Sequence, residues 1–319
     1  MKICLLLLFA LIVAACGGPA PTTHTSAEAT LAIPLANQRV LLLGNSITQN
    51  GLYVSYLEYY LRSAYPDASF DLISIGLSSE TVSCLTEPGH PYPRPCLRER
   101  LGRALEKVQP DLVLACYGMN DGIYHPLSPE RMQAYQQGIR DLRAAVEAAG
   151  ANLILLTPPP FDPQPIAEKV VGEAAPQFGY ATPYAGYDGV LDAFAQWLLT
   201  QPDSNLRVID LHGPMNAYVA EKRKADPAFT LSGDGVHPAV EGHELMARTI
   251  LAGLDVPLPP APAQGPLFEA VAARRKSRSE AWLPYVGYIR EDTVSAPSIE
   301  AAEQAAQERE ADIRALQQR

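Results

Sequence analysis

The residues that could do chemistry in this 319-residue chain stand in four short stretches. Ser46 closes the sequence Gly-Asn-Ser directly after the apolar run 40–43, and Asn120 stands in Gly-Met-Asn-Asp after a later apolar run. Asp234 and His237 stand three residues apart in Asp-Gly-Val-His, late in the chain. A hydroxyl, an imidazole, a carboxylate and an amide can serve ester cleavage as nucleophile, general base, orienting acid and oxyanion donor.

Each stretch taken alone also has a purely structural interpretation. Asn45 and Ser46 could turn the chain and cap a helix, and 118–121 could be an Asx turn. Asp234 could satisfy backbone donors in a polar loop. The fourth stretch, the tight loop 76–81, could be a turn only, or it could offer a backbone N–H to the oxyanion. The order serine, loop, asparagine, Asp-x-x-His is more specific than any of its members.

Alternating strands and helices must position these stretches. The pattern predicts strands over 39–44, 70–75, 111–117, 153–156 and 207–211, and helices over 51–65, 97–108, 128–149, 191–199 and 240–254, with a further helix around Ala217 and Val219. Such alternation is typical of an α/β fold with a mostly parallel sheet and helices on both faces. Sites in open α/β sheets lie beyond the carboxyl ends of the strands, which is where three of the four stretches fall.

The joint pattern resembles the SGNH hydrolases, the GDSL-like serine esterases, over about 40–253. Gly-Asn-Ser is similar to the family's first block, with Asn45 where the most familiar form has aspartate, and it implies that Ser46 is the nucleophile. The loop 76–81 resembles the second block, and the family's oxyanion glycine falls on Ser79, whose backbone N–H could serve the same purpose.

The third and fourth blocks complete the resemblance. Asn120 in 118–121 matches the third block as an oxyanion donor, and Asp234 and His237 match the last block as orienting acid and general base. The resemblance implies a flavodoxin-like three-layer sandwich with about five parallel strands. It also implies an acyl-enzyme mechanism in which the N–H groups of Ser46 and Ser79 and the amide of Asn120 hold the oxyanion. No Gly-x-Ser-x-Gly surrounds Ser46, which excludes the nucleophile elbow of the α/β-hydrolase fold, and we expect neither a metal nor a cofactor.

The N-terminus has the pattern of an export signal. Lys2 is followed by the apolar run 3–15 and then by Cys16, an arrangement that resembles a bacterial lipoprotein signal in which the cysteine is lipidated. The alternative is an ordinary signal peptide with a chance cysteine. We expect a signal over 1–16, a flexible tether over 17–37, and a lipid-anchored protein of the cell envelope, facing the periplasm or the cell surface.

Two further cysteines, Cys84 and Cys96, flank a proline-rich loop. An exported protein could join them in a disulfide, and two unpaired thiols are the alternative. Their spacing matches no common zinc site. Cys116 lies inside an apolar run and is most simply a small core residue.

Composition limits the classes of partner. The formal net charge is −10, so the chain lacks the basic surface that nucleic acids require. The hydrolase-type domain is predicted over 38–255, followed over 256–319 by a linker and a C-terminal helical extension. That extension contains a basic cluster at 274–278, an aromatic stretch at 282–288 and a helix over 299–316.

The substrate follows less directly from the pattern than the reaction does. An exported, acidic hydrolase with a Pro- and Tyr-rich segment at 161–188 fits removal of O-acetyl groups from polysaccharide. The alternatives are an esterase of lipids or short acyl esters, an acyltransferase with the same residues, and a non-catalytic surface lipoprotein that binds glycans. The pattern specifies neither the particular ester nor the oligomeric state.

Overall fold

The computed structural model describes residues 34–201, 206–258, 263–288 and 297–318. The predicted signal, Cys16 and most of the predicted tether lie outside the described residues. The last tether residues, 34–37, form a turn in which Leu35 is buried and the backbone N–H of Asn37 donates to the carbonyl of Ser69. Packed structure therefore begins before residue 38, the predicted start of the domain.

A single parallel sheet of five strands forms the centre of the fold, which confirms the predicted fold class. Its strands are β1 Arg39–Gly44, β2 Asp71–Ser74, β3 Leu112–Cys116, β4 Asn152–Leu156 and β5 Leu206–Ile209. They lie in the order β2-β1-β3-β4-β5, and each neighbouring pair is parallel. Winding reverses between β1 and β3, and ligands of such sheets bind in the crevice at the carboxyl edge there.

Helices cover both faces of the sheet. They are α1 Ser46–Asn50, α2 Leu52–Ala64, α3 Leu101–Val108, α4 Pro129–Ala148, α5 Tyr187–Leu199, α6 His212–Arg223, α7 Val240–Gly253, α8 Gly265–Val286 and α9 Ile299–Gln317. Leu41 and Leu43 of β1 pack with α3, α4 and α5, whereas Val40 and Leu42 pack with α2, α6 and α7. Burial on both faces is the reason that the strands read as unbroken apolar runs. In the part of the chain that the structure describes, no helix has the length and apolar character needed to cross a membrane.

The C-terminal extension packs on the domain. The basic cluster and most of the aromatic stretch, which the sequence suggested as separate features, belong to the one helix α8, and Gly287 ends that helix with a φ of 82°. Helix α8 lies against α2 and β2, and α9 lies against α8. The extension therefore covers the side of the sheet on which β2 is the edge strand.

Arg278 of α8 reaches the edge of the sheet and is 2% exposed. Its Nη1 donates to the carbonyl of Leu72 at 3.1 Å and lies 2.8 Å from a carboxylate oxygen of Asp71, and its Nε donates to Glu303 of α9 at 2.9 Å. Burial by itself lowers the pKa of Arg278, but the two carboxylates raise it, so the guanidinium stays charged. This contact pairs a carbonyl of an edge strand that would otherwise need another partner.

Candidate active site

Ser46 is the first residue of α1 and lies just beyond the end of β1. Asn45 caps this short helix, because its side-chain oxygen accepts a hydrogen bond from the N–H of Ile47 at 3.1 Å. Gly44 makes the turn possible, since a Cβ at this position would lie 2.2 Å from Oγ1 of Thr48 and 2.9 Å from the carbonyl oxygen of Cys116. The predicted cap at Asn45 and the placement of Ser46 at the sheet edge thus belong to the same turn.

The structure brings Ser46, His237 and Asp234 together. The Oγ of Ser46 lies 2.8 Å from Nε2 of His237, and Nδ1 of His237 lies 2.7 Å from Oδ2 of Asp234. The other oxygen of Asp234 accepts the backbone N–H groups of His237 at 2.7 Å and Val236 at 3.0 Å. The carboxylate therefore holds both the imidazole ring and the backbone that carries it.

Charge at Asp234 decides the tautomer of His237. Partial burial opposes ionisation, but hydrogen bonds from the His237 ring and from the backbone of His237 and Val236 hold the pKa of Asp234 well below its usual range. An ionised carboxylate can only accept, so Nδ1 of His237 carries the proton. The lone pair of Nε2 then faces the Ser46 hydroxyl, which is the arrangement of a general base and a nucleophile.

The turn between Asp234 and His237 depends on Gly235, whose φ is 78°. A Cβ at Gly235 would lie 2.6 Å from the carbonyl oxygen of Asp162, and the backbone N–H of Asp162 donates to the carbonyl of Gly235 at 2.9 Å. The Asp162 carboxylate also accepts hydrogen bonds from Arg223 and Thr230, at 2.6 Å each. Asp162 thus secures the His237 loop, and the sequence analysis did not identify it because the contact is long-range.

Asn120 lies in the loop after β3 and is 4% exposed. Its amide nitrogen donates to the carbonyl of Glu80 at 3.3 Å, and its amide oxygen accepts the hydroxyl of Tyr124 at 3.2 Å. A side-chain amide carries two N–H donors, so one N–H remains after the bond to Glu80. No acceptor for that second N–H occurs among the residues described, and its partner can come from a ligand.

Ser79 has a φ of 65°, in the left-handed region that favours glycine. Its loop is held against α1, because Oε1 of Gln49 accepts the backbone N–H of Ser78 at 2.7 Å. Position 76 of the same loop has no room for a side chain, since a Cβ on Gly76 would lie 2.3 Å from the backbone nitrogen of Gln49. Within the described parts of the chain, the backbone N–H groups of Ser79 and Ser46 have no acceptor.

Asp121 joins the loops that follow β2 and β3, a role that the sequence analysis did not assign. Its buried carboxylate accepts the backbone N–H groups of Val82, Ser83 and Gly118 at 2.7, 2.9 and 2.8 Å. Burial raises the pKa of Asp121 to about 6 even though these hydrogen bonds lower it. The motif could have suggested this role, because Asp commonly satisfies backbone donors in loops.

A buried ion pair lies beneath the same loops. Arg100 donates to both carboxylate oxygens of Glu80, at 2.6 and 2.7 Å, and the hydroxyl of Tyr117 donates to Glu80 at 2.6 Å. The backbone carbonyl of this glutamate is the one that binds Asn120. By holding Glu80 in place, the ion pair and the tyrosine also fix the position of the Asn120 amide.

A disulfide joins Cys84 to Cys96, with 4.7 Å between their Cα atoms. We call the segment 84–96 the disulfide loop. Inside it, Arg94 donates to both carboxylate oxygens of the buried Glu87, at 2.6 and 2.7 Å. A third nitrogen of Arg94, Nη1, donates to the backbone carbonyl of Ser79 at 3.4 Å. The disulfide loop therefore helps to hold Ser79 in its left-handed backbone conformation.

Residues 42–245 of the chain, well over half of it, match the model of the GDSL-like lipase/acylhydrolase family. This range contains all the residues brought together at the sheet edge. A search of curated proteins found no relative that matches the chain.

Several solved structures are similar to the chain. A gut microbial diltiazem-metabolizing enzyme has a TM-score of 0.50 and 21% identity over 68% of this chain, which spans 47% of that enzyme. An acetyl xylan esterase has a TM-score of 0.50 and 18% identity, covering 68% of this chain and 99% of its own. An acetylxylan esterase from Geobacillus stearothermophilus has a TM-score of 0.46 and 22% identity, covering 69% and 94%. At these identities the likeness concerns the fold.

Proposed function

This chain belongs to the GDSL-like lipase/acylhydrolase family, and it is an ester-hydrolysing enzyme; from that premise we propose that it removes O-acetyl groups from polysaccharide through an acyl-enzyme on Ser46. One observation carries the mechanism. His237 lies 2.8 Å from the Ser46 hydroxyl on one side and 2.7 Å from the Asp234 carboxylate on the other. Those distances fit direct proton transfer from nucleophile to base, with the base oriented by the acid.

In the proposed reaction, Nε2 of His237 takes the proton of Ser46 as Oγ attacks the ester carbonyl carbon. Asp234 stabilises the imidazolium that forms. His237 then gives this proton to the leaving alcohol oxygen, the carbon–oxygen ester bond breaks, and the acetyl group remains bound to Oγ of Ser46 as an ester. A water molecule attacks the acyl-enzyme in the same way, its proton passing through His237 to Ser46, and acetate leaves.

Three donors are proposed to bind the oxyanion of the tetrahedral intermediate. They are the backbone N–H groups of Ser46 and Ser79 and the second amide N–H of Asn120. These donors belong to the start of α1 and to the loops after β2 and β3, which meet at the carboxyl edge of neighbouring strands. Donors that the protein leaves without acceptors can bind developing charge without reorganisation.

An open site favours an ester carried on a large molecule. The side chains of His237 and Asp234 are 49% and 56% exposed, so the reacting groups are accessible from the surface. An acetyl group is small enough to reach Ser46 while the polymer that carries it stays outside. The acetyl xylan esterase of similar fold is compatible with this assignment.

Export and anchoring are part of the proposal. Lipidation of Cys16 would hold the enzyme at the cell envelope through the segment 17–33. Labelling of the full chain with a fatty-acid analogue in a bacterial host tests this point. We expect label on the wild type and none on Cys16→Ser, and equal labelling of the two would contradict lipidation at this residue.

Acetate release from acetylated xylan by the purified full chain tests the enzymatic proposal. We expect release by the wild type and a loss of at least about a thousandfold in Ser46→Ala, because the covalent step is then removed. Ser63→Ala is the matched control, since this serine of α2 is exposed and its hydroxyl donates to the carbonyl of Tyr59 within the same helix.

Parallel assays on p-nitrophenyl esters of increasing chain length separate the alternatives. Serine-dependent turnover of long acyl esters only would indicate a lipid esterase. Transfer of the acyl group to an added alcohol in preference to water would indicate an acyltransferase. Absence of serine-dependent turnover, with retained folding and glycan binding, would indicate a binding protein.

A further inference from the structure

Three aromatic side chains meet on the surface next to the proposed oxyanion donor. Tyr92 and Tyr180 are large side chains that are 39% and 52% exposed. The ring of His90 stands between them, with centroid distances of 4.7 Å to Tyr92 and 5.3 Å to Tyr180. We call these three residues the aromatic platform.

The platform adjoins the site through Tyr92. The hydroxyl of Tyr92 lies 3.3 Å from the side-chain oxygen of Ser79, whose backbone N–H is proposed to bind the oxyanion. A substrate whose ester carbonyl is bound at Ser79 therefore has its neighbouring groups within reach of these rings. The platform is thus placed to contact the molecule that carries the ester.

Two distant segments of the chain form the platform, and they are joined beneath it. His90 and Tyr92 belong to the disulfide loop, whereas Tyr180 comes from the segment between β4 and α5. The backbone N–H of Tyr180 donates to the buried carboxylate of Glu87 at 3.2 Å, and the side-chain nitrogen of Gln177 donates to the carbonyl of Pro88 at 3.4 Å.

These contacts and the disulfide hold together the two segments that carry the rings. Binding a ligand then requires little ordering of the loops, which is the advantage of a preorganised surface.

We propose that His90, Tyr92 and Tyr180 bind a sugar ring of the polysaccharide next to the acetylated residue, an inference that rests on the proposed function. The flat C–H face of a pyranose packs on aromatic faces, while its hydroxyls need polar partners. Tyrosine and histidine supply both, since each ring carries a polar atom at its edge. A fatty acyl chain has no groups that could form hydrogen bonds with those polar atoms, whereas a sugar has hydroxyls. The platform therefore fits a carbohydrate better than a fatty acyl chain.

Tyr180→Ala tests the proposal in the full chain, because it removes a ring and keeps the backbone bond to Glu87. We expect KM for acetylated xylan to rise about three- to tenfold, the range of one aromatic contact. The kcat/KM for p-nitrophenyl acetate should stay unchanged, because that ester has no sugar ring to place on the platform. Tyr180→Phe and Tyr92→Phe keep their rings and should stay closer to the wild type. Tyr285→Ala, at a tyrosine of α8 that is 44% exposed, is the matched control.

A binding experiment separates this inference from the proposed function. Affinity gel electrophoresis of Ser46→Ala in deacetylated xylan measures polysaccharide binding without turnover. Retardation that is lost in Ser46→Ala with Tyr180→Ala supports the platform, even if the wild type cleaves no acetylated xylan. Equal retardation of the two proteins, or an unchanged KM in Tyr180→Ala, would overturn it. A parallel fall in kcat/KM for p-nitrophenyl acetate would overturn it too, because the ring would then act on the catalytic residues.

Discussion

Arg94 donates to the backbone carbonyl of Ser79 at 3.4 Å while it is bound on its other side to the buried carboxylate of Glu87. An uncommon backbone conformation persists only where its surroundings hold it in place. The disulfide loop, which contains both Arg94 and Glu87, provides that support. The conformation of Ser79 is therefore coupled to a segment that contributes neither a catalytic residue nor an oxyanion donor.

Replacement of Ser79 by glycine should stabilise the protein and keep its activity. Glycine adopts a φ of 65° without the steric conflict of a side chain, and we expect a gain of about 0.5–1 kcal/mol in the free energy of unfolding. The N–H that is proposed to bind the oxyanion is retained. Urea denaturation and turnover of p-nitrophenyl acetate check both points. Ser79→Ala is the control and should show no gain, and a tenfold loss of kcat in Ser79→Gly would assign the role to the hydroxyl instead.

Removal of the Asn120 amide should slow the chemical step. We expect kcat of Asn120→Ala to fall about a hundred- to thousandfold with a small change in KM, because the donor acts on the oxyanion and not on the bound ester. Circular dichroism at the assay temperature controls for folding, since the carbonyl of Glu80 loses a partner. Asn152→Ala, at an exposed position of β4, should behave like the wild type. A loss of kcat below tenfold would argue against Asn120 as a donor.

Loss of the disulfide should destabilise the protein. The closed loop spans a sequence separation of 12, for which the loop-entropy relation gives about 3 kcal/mol. We expect Cys84→Ser with Cys96→Ser to unfold at a correspondingly lower urea concentration. Dithiothreitol should lower the midpoint of the wild type and leave that of the double variant unchanged. An unchanged wild-type midpoint would mean that the bond is absent from the purified protein.

His243 should make stability depend on pH. Burial, with Arg275 and His237 nearby, lowers the pKa of His243 from 6.5 to about 4. The unfolded chain therefore binds a proton at a pH where the folded protein does not, so stability is complete above pH 6.5 and is lost as pH falls towards 4. At pH 5 the loss from this residue is about 2 kcal/mol. His243→Phe keeps a ring against Tyr53 and should lose less stability than the wild type between pH 8 and 5. Parallel pH profiles of the two proteins would contradict the assignment.

Arg278 and Lys276, two cationic residues of α8, should contribute very differently to the stability of the protein. Arg278→Ala leaves the carbonyl of Leu72 in β2 without its partner and removes one of the cationic or N–H partners of Asp71 and of Glu303, and we expect a loss of about 2–3 kcal/mol in the free energy of unfolding. Lys276, whose side chain is 68% exposed, is the matched control, and Lys276→Ala should change stability by less than about 0.5 kcal/mol. Equal effects in thermal unfolding would show that α8 does not anchor the edge of the sheet.

The pattern of apolar and polar residues along the chain was sufficient to predict the sheet. It failed for elements whose formation depends on contacts with other parts of the fold. The strand positions follow from apolar runs that are buried on both faces, and the helix predicted from residue 128 does begin there, where Ser128 accepts the N–H of Arg131 at the start of α4. The short helix α1 was not predicted, because five residues show no periodicity. The single helix α8 was not predicted, and its basic and aromatic parts stood as separate features, because its buried arginines interrupt the apolar pattern of its inward face.

The sequence by itself determined the α/β class, the strands and the four polar stretches, since these depend on residue types and on spacing along the chain. Only the tertiary structure decided which side chains meet. Ser46 and His237 are separated by 191 positions and come within 2.8 Å, and Tyr180 reaches the disulfide loop through Glu87. Such contacts depend on strand order and loop conformation, which hydrophobic periodicity does not encode. The burial of Arg278 has the same origin, because a charged side chain can enter the interior only where distant residues supply its partners.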